Sequence, residues 1–241
     1  MIETIAPDWV TPPGVCACTT TRAGGVSEAP FDSLNLALHV GDDPVHVGRN
    51  RELLQQLHLP AEPCWINQTH GTDVVTLELD KNRDADAAVT RQPGVVAVVM
   101  TADCLPILLC NRDGSEVAAV HAGWRGLQAG VIQRTLAGME SRGEQLQAWI
   151  GPGISQQNFE VGAEVRTAFI ESTPDAESFF DENRKGHWLC DLAGLAERVL
   201  KRQGLVDVYR DHGCSYRDAD RFFSYRRNAT TGRMASLIWI K

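Results

Sequence analysis

The chain has 241 residues, 43% hydrophobic and 22% charged, which is enough apolar material for an ordinary globular core and sets one domain over 1–241 as the default. Its formal net charge of −8 argues against a surface that neutralises many phosphates, so no nucleic-acid partner is expected beyond what a local basic pocket could hold. No apolar run reaches membrane-spanning length, and the opening "MIETIAPDWVTPP" has acids and prolines where a secretory leader needs a basic end and an apolar block.

In chain order, 14–21 (GVCACTTT) reads as the first strand. Asp43-Pro44 is a cap followed by a first-turn proline, and Leu53, Leu54 and Leu57 continue that helix as an apolar stripe. Strands then follow in close succession at 73–79, 86–90, 95–102, 106–110 and 116–122. After "HAGWRG", residues Leu127, Val131, Thr135, Leu136 and Met139 recur at helical spacing. A strand at 146–150 and a weaker helix after Gly162 precede a third helix. Asp191 caps that helix, Leu192, Leu195, Val199 and Leu200 share its inner face, and Gly204 ends it. The last strands are 206–210, 222–226 and 234–240. Many strands with a few helices between them define a mixed α/β or α+β layered domain. The seven cysteines (16, 18, 64, 104, 110, 190, 214) are odd in number and scattered, as expected of reduced thiols in the cytoplasm.

"VMTADCLPILLC" (99–110) is a buried apolar run interrupted by Asp103 and Cys104. Downstream, "NRDGSE" is a hairpin signal joining "LPILLC" to "EVAAVHA", and it brings Cys104 and His121 to the same end of adjacent strands. His70, in "NQTHGTD", belongs on a turn. One thiolate and two imidazoles form a suitable ligand set for Zn²⁺ and leave a fourth position for water. Asp103 or Gln68 could orient a ligand or substrate beside it. On spacing alone the plain alternative stands: a small buried cysteine and two hydrogen-bonded histidines. His212 and Cys214 in "DHGCSY" form a second pair, the only candidates for a fourth, closing ligand.

Other segments carry weaker chemistry. Glycine-rich "TTRAGGVS" lets backbone N–H groups approach an anion beside Arg22, or is a surface turn. Asn35 and His39 lie in the loop before the first helix and Arg51 lies on it; each faces substrate or solvent. The motifs H-x-E with P-C-x-x-C, H-E-x-x-H, G-x-x-x-x-G-K-[ST] and G-x-S-x-G are absent, and "GPGI" is a tight turn rather than a dinucleotide fingerprint.

Taken together, "TTRAGGVS", "SLNLALHVGDD", "NQTHG", "MTADCLPILL", "VAAVHAGWRGL" and "FFSYRRNATTGRMAS" resemble the laccase-domain, or multicopper polyphenol oxidase-like, family along nearly the whole chain and in the family's order. The resemblance implies one α/β domain of central sheets flanked by helices, similar in topology to certain cysteine deamidases. It implies a zinc-dependent purine nucleoside phosphorylase with adenosine deaminase activity, acting on adenosine, inosine, guanosine or methylthioadenosine with inorganic phosphate. It implies that His70, Cys104 and His121 are the zinc ligands, with Cu²⁺ an alternative occupant. Arg22 and Arg51 are then the candidates for phosphate, Asn35 and Gln68 for substrate, and Asp103 for proton transfer in deamination. The expected state is a monomer or small homo-oligomer. The alternatives are a copper-dependent polyphenol oxidase, a metal-free Cys104–His121 hydrolase editing muramoyl-amino-acid cell-wall precursors, and a non-catalytic structural zinc protein.

Overall fold

Strands rich in apolar residues on both faces need cover on both faces. Six such segments, with few polar residues among them, are buried at every position. The computed structural model describes residues 2–173 and 175–241, so Met1 and Pro174, both within the expected 1–241 domain, lie outside the described residues. In chain order the strands are β1 (Thr4–Ile5), β2 (Val15–Thr20), β3 (Val74–Thr76), β4 (Ala87–Thr90), β5 (Val96–Thr101), β6 (Leu105–Asn111) and β7 (Val117–Ala122). They continue as β8 (Leu146–Ile150), β9 (Glu160–Gly162), β10 (Phe180–Arg184), β11 (His187–Cys190), β12 (Asp207–Arg210) and β13 (Met234–Ile240). The helices are α1 (Pro44–Leu53), α2 (Trp124–Ala129), α3 (Val131–Gly138), α4 (Ala163–Ser172) and α5 (Leu192–Arg202).

One sheet has the order β1-β2-β13-β5, a second β12-β8-β6-β7-β4-β3, and a small third β10-β11-β9. The first two pack against each other through Ala97, Val99 and Ile238 on one side and Leu108, Cys110, Ala119 and Trp149 on the other. The outer face of the six-stranded sheet carries Ile107, Leu109 and Val120 against Leu127, Val131, Leu195 and Val199 of the helices. The outer face of the four-stranded sheet carries Val98 and Leu237 against Leu34, Leu36 and Leu54. The result is the expected mixed α/β layering, and it explains why the strands read as continuous apolar runs.

The hairpin at Asp113-Gly114 forms, with Gly114 at φ +70°, and its register pairs Leu105 with Ala122 and Pro106 with His121. Side chains alternate along a strand, so His121 shares a face with Val117 and Ala119 and looks between the two sheets. The interruption at Asp103-Cys104 is also accounted for: β5 belongs to one sheet and β6 to the other, and these residues are the crossing between them.

Three expectations are corrected. The helix after "HAGWRG" is two helices, broken at Gly130 with φ +99°. Segment 222–226 is not a strand: it pairs with no sheet, and Arg227 ties the carbonyls of Ser215, Tyr216 and Phe222 into turns around the fully buried Phe222 and Phe223. Strands β1, β9, β10 and β11 lie outside the expected set, so 14–21 holds the second strand rather than the first; β10 reads "FDENR", exposed after its first residue.

Candidate metal centre

The open end of the inter-sheet core is where β5 ends, β6 begins and β7 ends. His121 reaches it from β7, Cys104 from the residue before β6, and His70 from the loop before β3. Their ligand atoms all lie within 4.8 Å of one another, with Cys104 Sγ 3.9 Å from His70 Nε2. Tetrahedral zinc, at about 2.3 Å from sulfur and about 2.05 Å from nitrogen, sets such a pair about 3.6 Å apart, so Cys104 and His70 stand within a few tenths of an ångström of that spacing, while a separation of 4.8 Å in the group closes by about 1 Å to take the ion. The two imidazoles meet edge to face, centroids 4.8 Å apart. Among the described residues this is one group of metal-capable side chains, and Cys214 is not in it. Cys214 instead accepts from the Ser155 hydroxyl at 3.1 Å, the Asn158 amide at 3.3 Å and the Arg217 N–H at 3.4 Å.

Two residues of the site have left-handed backbones, His70 at φ +60° and Asp103 at φ +98°. Such conformations cost side-chain-bearing residues on the order of 1–3 kcal/mol and persist only where contacts enforce them. Asp86, fully buried immediately before β4, enforces the first by accepting from His70 N at 3.0 Å and Gly71 N at 2.6 Å. It also accepts from His121 Nδ1 at 2.7 Å. Asp103 is held by Ser215 Oγ and by the Arg226 N–H, each at 2.6 Å.

Charge follows geometry. Burial pushes the Cys104 thiol up, but the charges and hydrogen bonds of His121 and His70 outweigh it and hold it at about 6. Burial likewise opposes charge on His121, yet Cys104 and Asp86 raise it to about 9. Asp86 would be raised by burial, and the donors around it, His121 first, hold it at about 2. In the metal-free protein a thiolate therefore faces an imidazolium.

The cluster forms the base of a cavity of about 460 Å³ walled by His39, Gln68, Met100, Asp103, Phe159, Tyr225, Arg226 and Arg233. Of the residues read from the sequence, His39, Gln68, His70, Asp103, Cys104 and His121 come together here. Gln68 spends both ends of its amide on the Met100 backbone, each at 2.7 Å, and so fastens the His70 loop to β5. Arg22, Asn35 and Arg51 do not line the cavity. Arg22 pairs with Asp32 and donates to the carbonyls of Asp32 and Ala219. Asn35 is fully buried and joins Ala37, Asp42 and the Arg233 N–H. Arg51 donates to the Leu36 carbonyl and stacks 3.9 Å over the Trp65 ring. The cavity cations are Arg226 and Arg233, both from "SYRRNATTGR", of which the expected strand 222–226 covers only the first. Asp86 is not among the candidates read from the sequence, though a carboxylate against an apolar strand is the same kind of signal as Asp103.

This fold and this cluster define a laccase-like α/β protein, and comparison makes the assignment: residues 16–241 match the family model described as multi-copper polyphenol oxidoreductase laccase, and the chain belongs to that family. Among its relatives, the Shigella flexneri protein named purine nucleoside phosphorylase YfiH is 48% identical over the whole of both chains. A Pseudomonas aeruginosa protein named purine nucleoside phosphorylase PA4543 is 46% identical over 98% of each. The crystal structure of the Neisseria meningitidis protein NMB0706 superposes with a TM-score of 0.95, at 47% identity and covering 99% of both chains.

Proposed function

We propose that the protein is a zinc-dependent purine nucleoside phosphorylase, one domain over 1–241, with His70, Cys104 and His121 holding the metal. The observation that carries this is the convergence of two imidazoles and a thiol at the base of a cavity of nucleoside size. The substrate class comes from relatives that bear the phosphorylase name at 43–48% identity.

Phosphorolysis breaks the bond between the anomeric carbon and the purine nitrogen and forms one to a phosphate oxygen, giving free base and ribose 1-phosphate. When bound, zinc supplies a Lewis acid and an acidified water. Arg233, whose charge faces Cys104 and Asp103, and Arg226 supply the fixed positive charge that phosphate requires. Phe159 and Tyr225 offer aromatic faces to a purine. His39 is lowered by burial, then by Arg233 and Arg51, so it meets substrate as a neutral imidazole with one donor and one acceptor. Asp103, with both oxygens engaged, positions the Ser215–Arg226 segment. Adenosine deamination, in which water replaces the purine amino group as ammonia departs, belongs to the same site as a second activity.

The family description mentions several coppers, but multicopper oxidation needs histidine-rich centres, and the described residues offer one group with two histidines. Copper is therefore an alternative occupant of the zinc position. One observation favours a second reading: Cys104, His121 and Asp86 line up as nucleophile, base and orienting acid of a metal-free hydrolase. His70, 3.9 Å from the sulfur, has no part in such a triad and full use as a third ligand. Assaying zinc-quantified protein with inosine and adenosine, with and without phosphate, separates the readings. Base release that requires phosphate and is lost to a chelator supports the proposal; release without phosphate, indifferent to chelator and abolished by a thiol alkylator, sinks it. Ammonia from adenosine tests the second activity.

A further inference from the structure

We propose that Asp86 is the positioning residue that assembles the metal site, fixing two of its three ligands with one carboxylate; this rests on reading His70, Cys104 and His121 as the ligands. Asp86 is fully buried. Its Oδ1 accepts from His121 Nδ1 at 2.7 Å and from His70 N at 3.0 Å. Its Oδ2 accepts from Gly71 N at 2.6 Å, Thr69 Oγ1 at 3.0 Å and Thr69 N at 3.2 Å. The Asp86 carbonyl also accepts from His121 N at 2.7 Å, so both backbone and side chain of the histidine are tied to this residue.

Two consequences follow from this arrangement. With Nδ1 spent on Asp86, His121 presents Nε2 to Cys104 and to any shared ion. With the N–H groups of Thr69, His70 and Gly71 gathered on one carboxylate, the left-handed turn at His70 is held in shape, and its ring is delivered to the sulfur. Helix α2 closes this turn from the other side: a Cβ on Gly126 would lie 2.7 Å from the Gly71 carbonyl oxygen, so only a glycine lets the helix approach. Asn at position 86 keeps the shape but sets an N–H₂ group against either the imidazole N–H or the loop N–H groups, a donor facing donors.

The test is zinc affinity by competition with a chromophoric chelator, for wild type and Asp86→Asn, with thermal unfolding of both metal-free proteins alongside. The expected result is zinc binding weakened about 10- to 100-fold in Asp86→Asn, beyond any change in the metal-free melting temperature. Equal affinity in the two proteins overturns the proposal while leaving the zinc ligands standing. Wild type that takes up no zinc overturns the ligand assignment and this inference with it. Should Asp86→Asn fail to fold, nitrogen-15 NMR of zinc-loaded wild type decides: a proton on His121 Nδ1 with Nε2 ligated supports the proposal, and the opposite assignment ends it.

Discussion

Gly123 lies against Cys104 so closely that a methyl group at Gly123 would sit 2.9 Å from the Cys104 sulfur and 3.0 Å from the His70 ring. The backbone there, φ −69° and ψ 160°, suits any residue, so the demand for glycine comes from the Cys104 and His70 side chains and not from the turn. Gly123→Ala is expected to fold and to push the two ligands apart. Zinc content measured by mass spectrometry should fall at least about tenfold with the circular dichroism spectrum unchanged. Full zinc loading in this variant would show that the ligands can yield.

Asp103 is expected to act through the segment it holds. Loss of a hydrogen bond to a charged group costs about 1.5–3 kcal/mol, and both Asp103→Asn and Ser215→Ala loosen the same contact. Both should raise KM for nucleoside more than they lower kcat, and should depress phosphorolysis and deamination alike. Selective loss of deamination in Asp103→Asn alone would return Asp103 to a proton-transfer role.

The arginines divide into cavity and scaffold. Arg233→Gln should raise KM for phosphate by about tenfold or more, the equivalent of about 1.4 kcal/mol. Arg22→Gln, whose side chain does not line the cavity and is spent on Asp32 and Ala219, should leave it within about twofold while lowering the melting temperature. The reverse pattern would put phosphate in the glycine-rich loop after all.

Metal-free protein should reveal the thiolate by its pH profile. A thiol lowered to about 6 is ionised above that pH, about nine-tenths so at pH 7, whereas an ordinary thiol ionises only near pH 8.5. Alkylation of Cys104 by iodoacetamide should therefore climb between about pH 5 and about pH 7 and then level off. Zinc should protect it. Cys18 and Cys110, raised by burial to about 12 and about 11, should stay unreacted. A Cys104 rate still climbing at pH 9 would contradict the thiolate–imidazolium pair.

Much of the frame is legible because the signals are local. Asp43 accepts from Val45 N and Asp191 from Gly194 N, as caps should, and Asp113-Gly114 sets the register that joins Cys104 to His121. What escapes a linear reading depends on partners far along the chain. Arg22 beside two glycines looks like an anion site until Asp32 and Ala219 are seen to consume its guanidinium. Asp86 gains meaning only from the pairing of Ala87 with Val120, which sets it beside His121. The 222–226 stretch has strand-like composition, but its adjacent buried phenylalanines anchor a loop whose arginines then reach the cavity.

Zinc stoichiometry across His70→Ala, Cys104→Ala, His121→Ala and wild type decides whether these three side chains hold the ion. One ion per wild-type chain, and less than about a tenth of that in each folded variant, is the predicted result. A variant that keeps its full complement of zinc would show that the ion is held elsewhere.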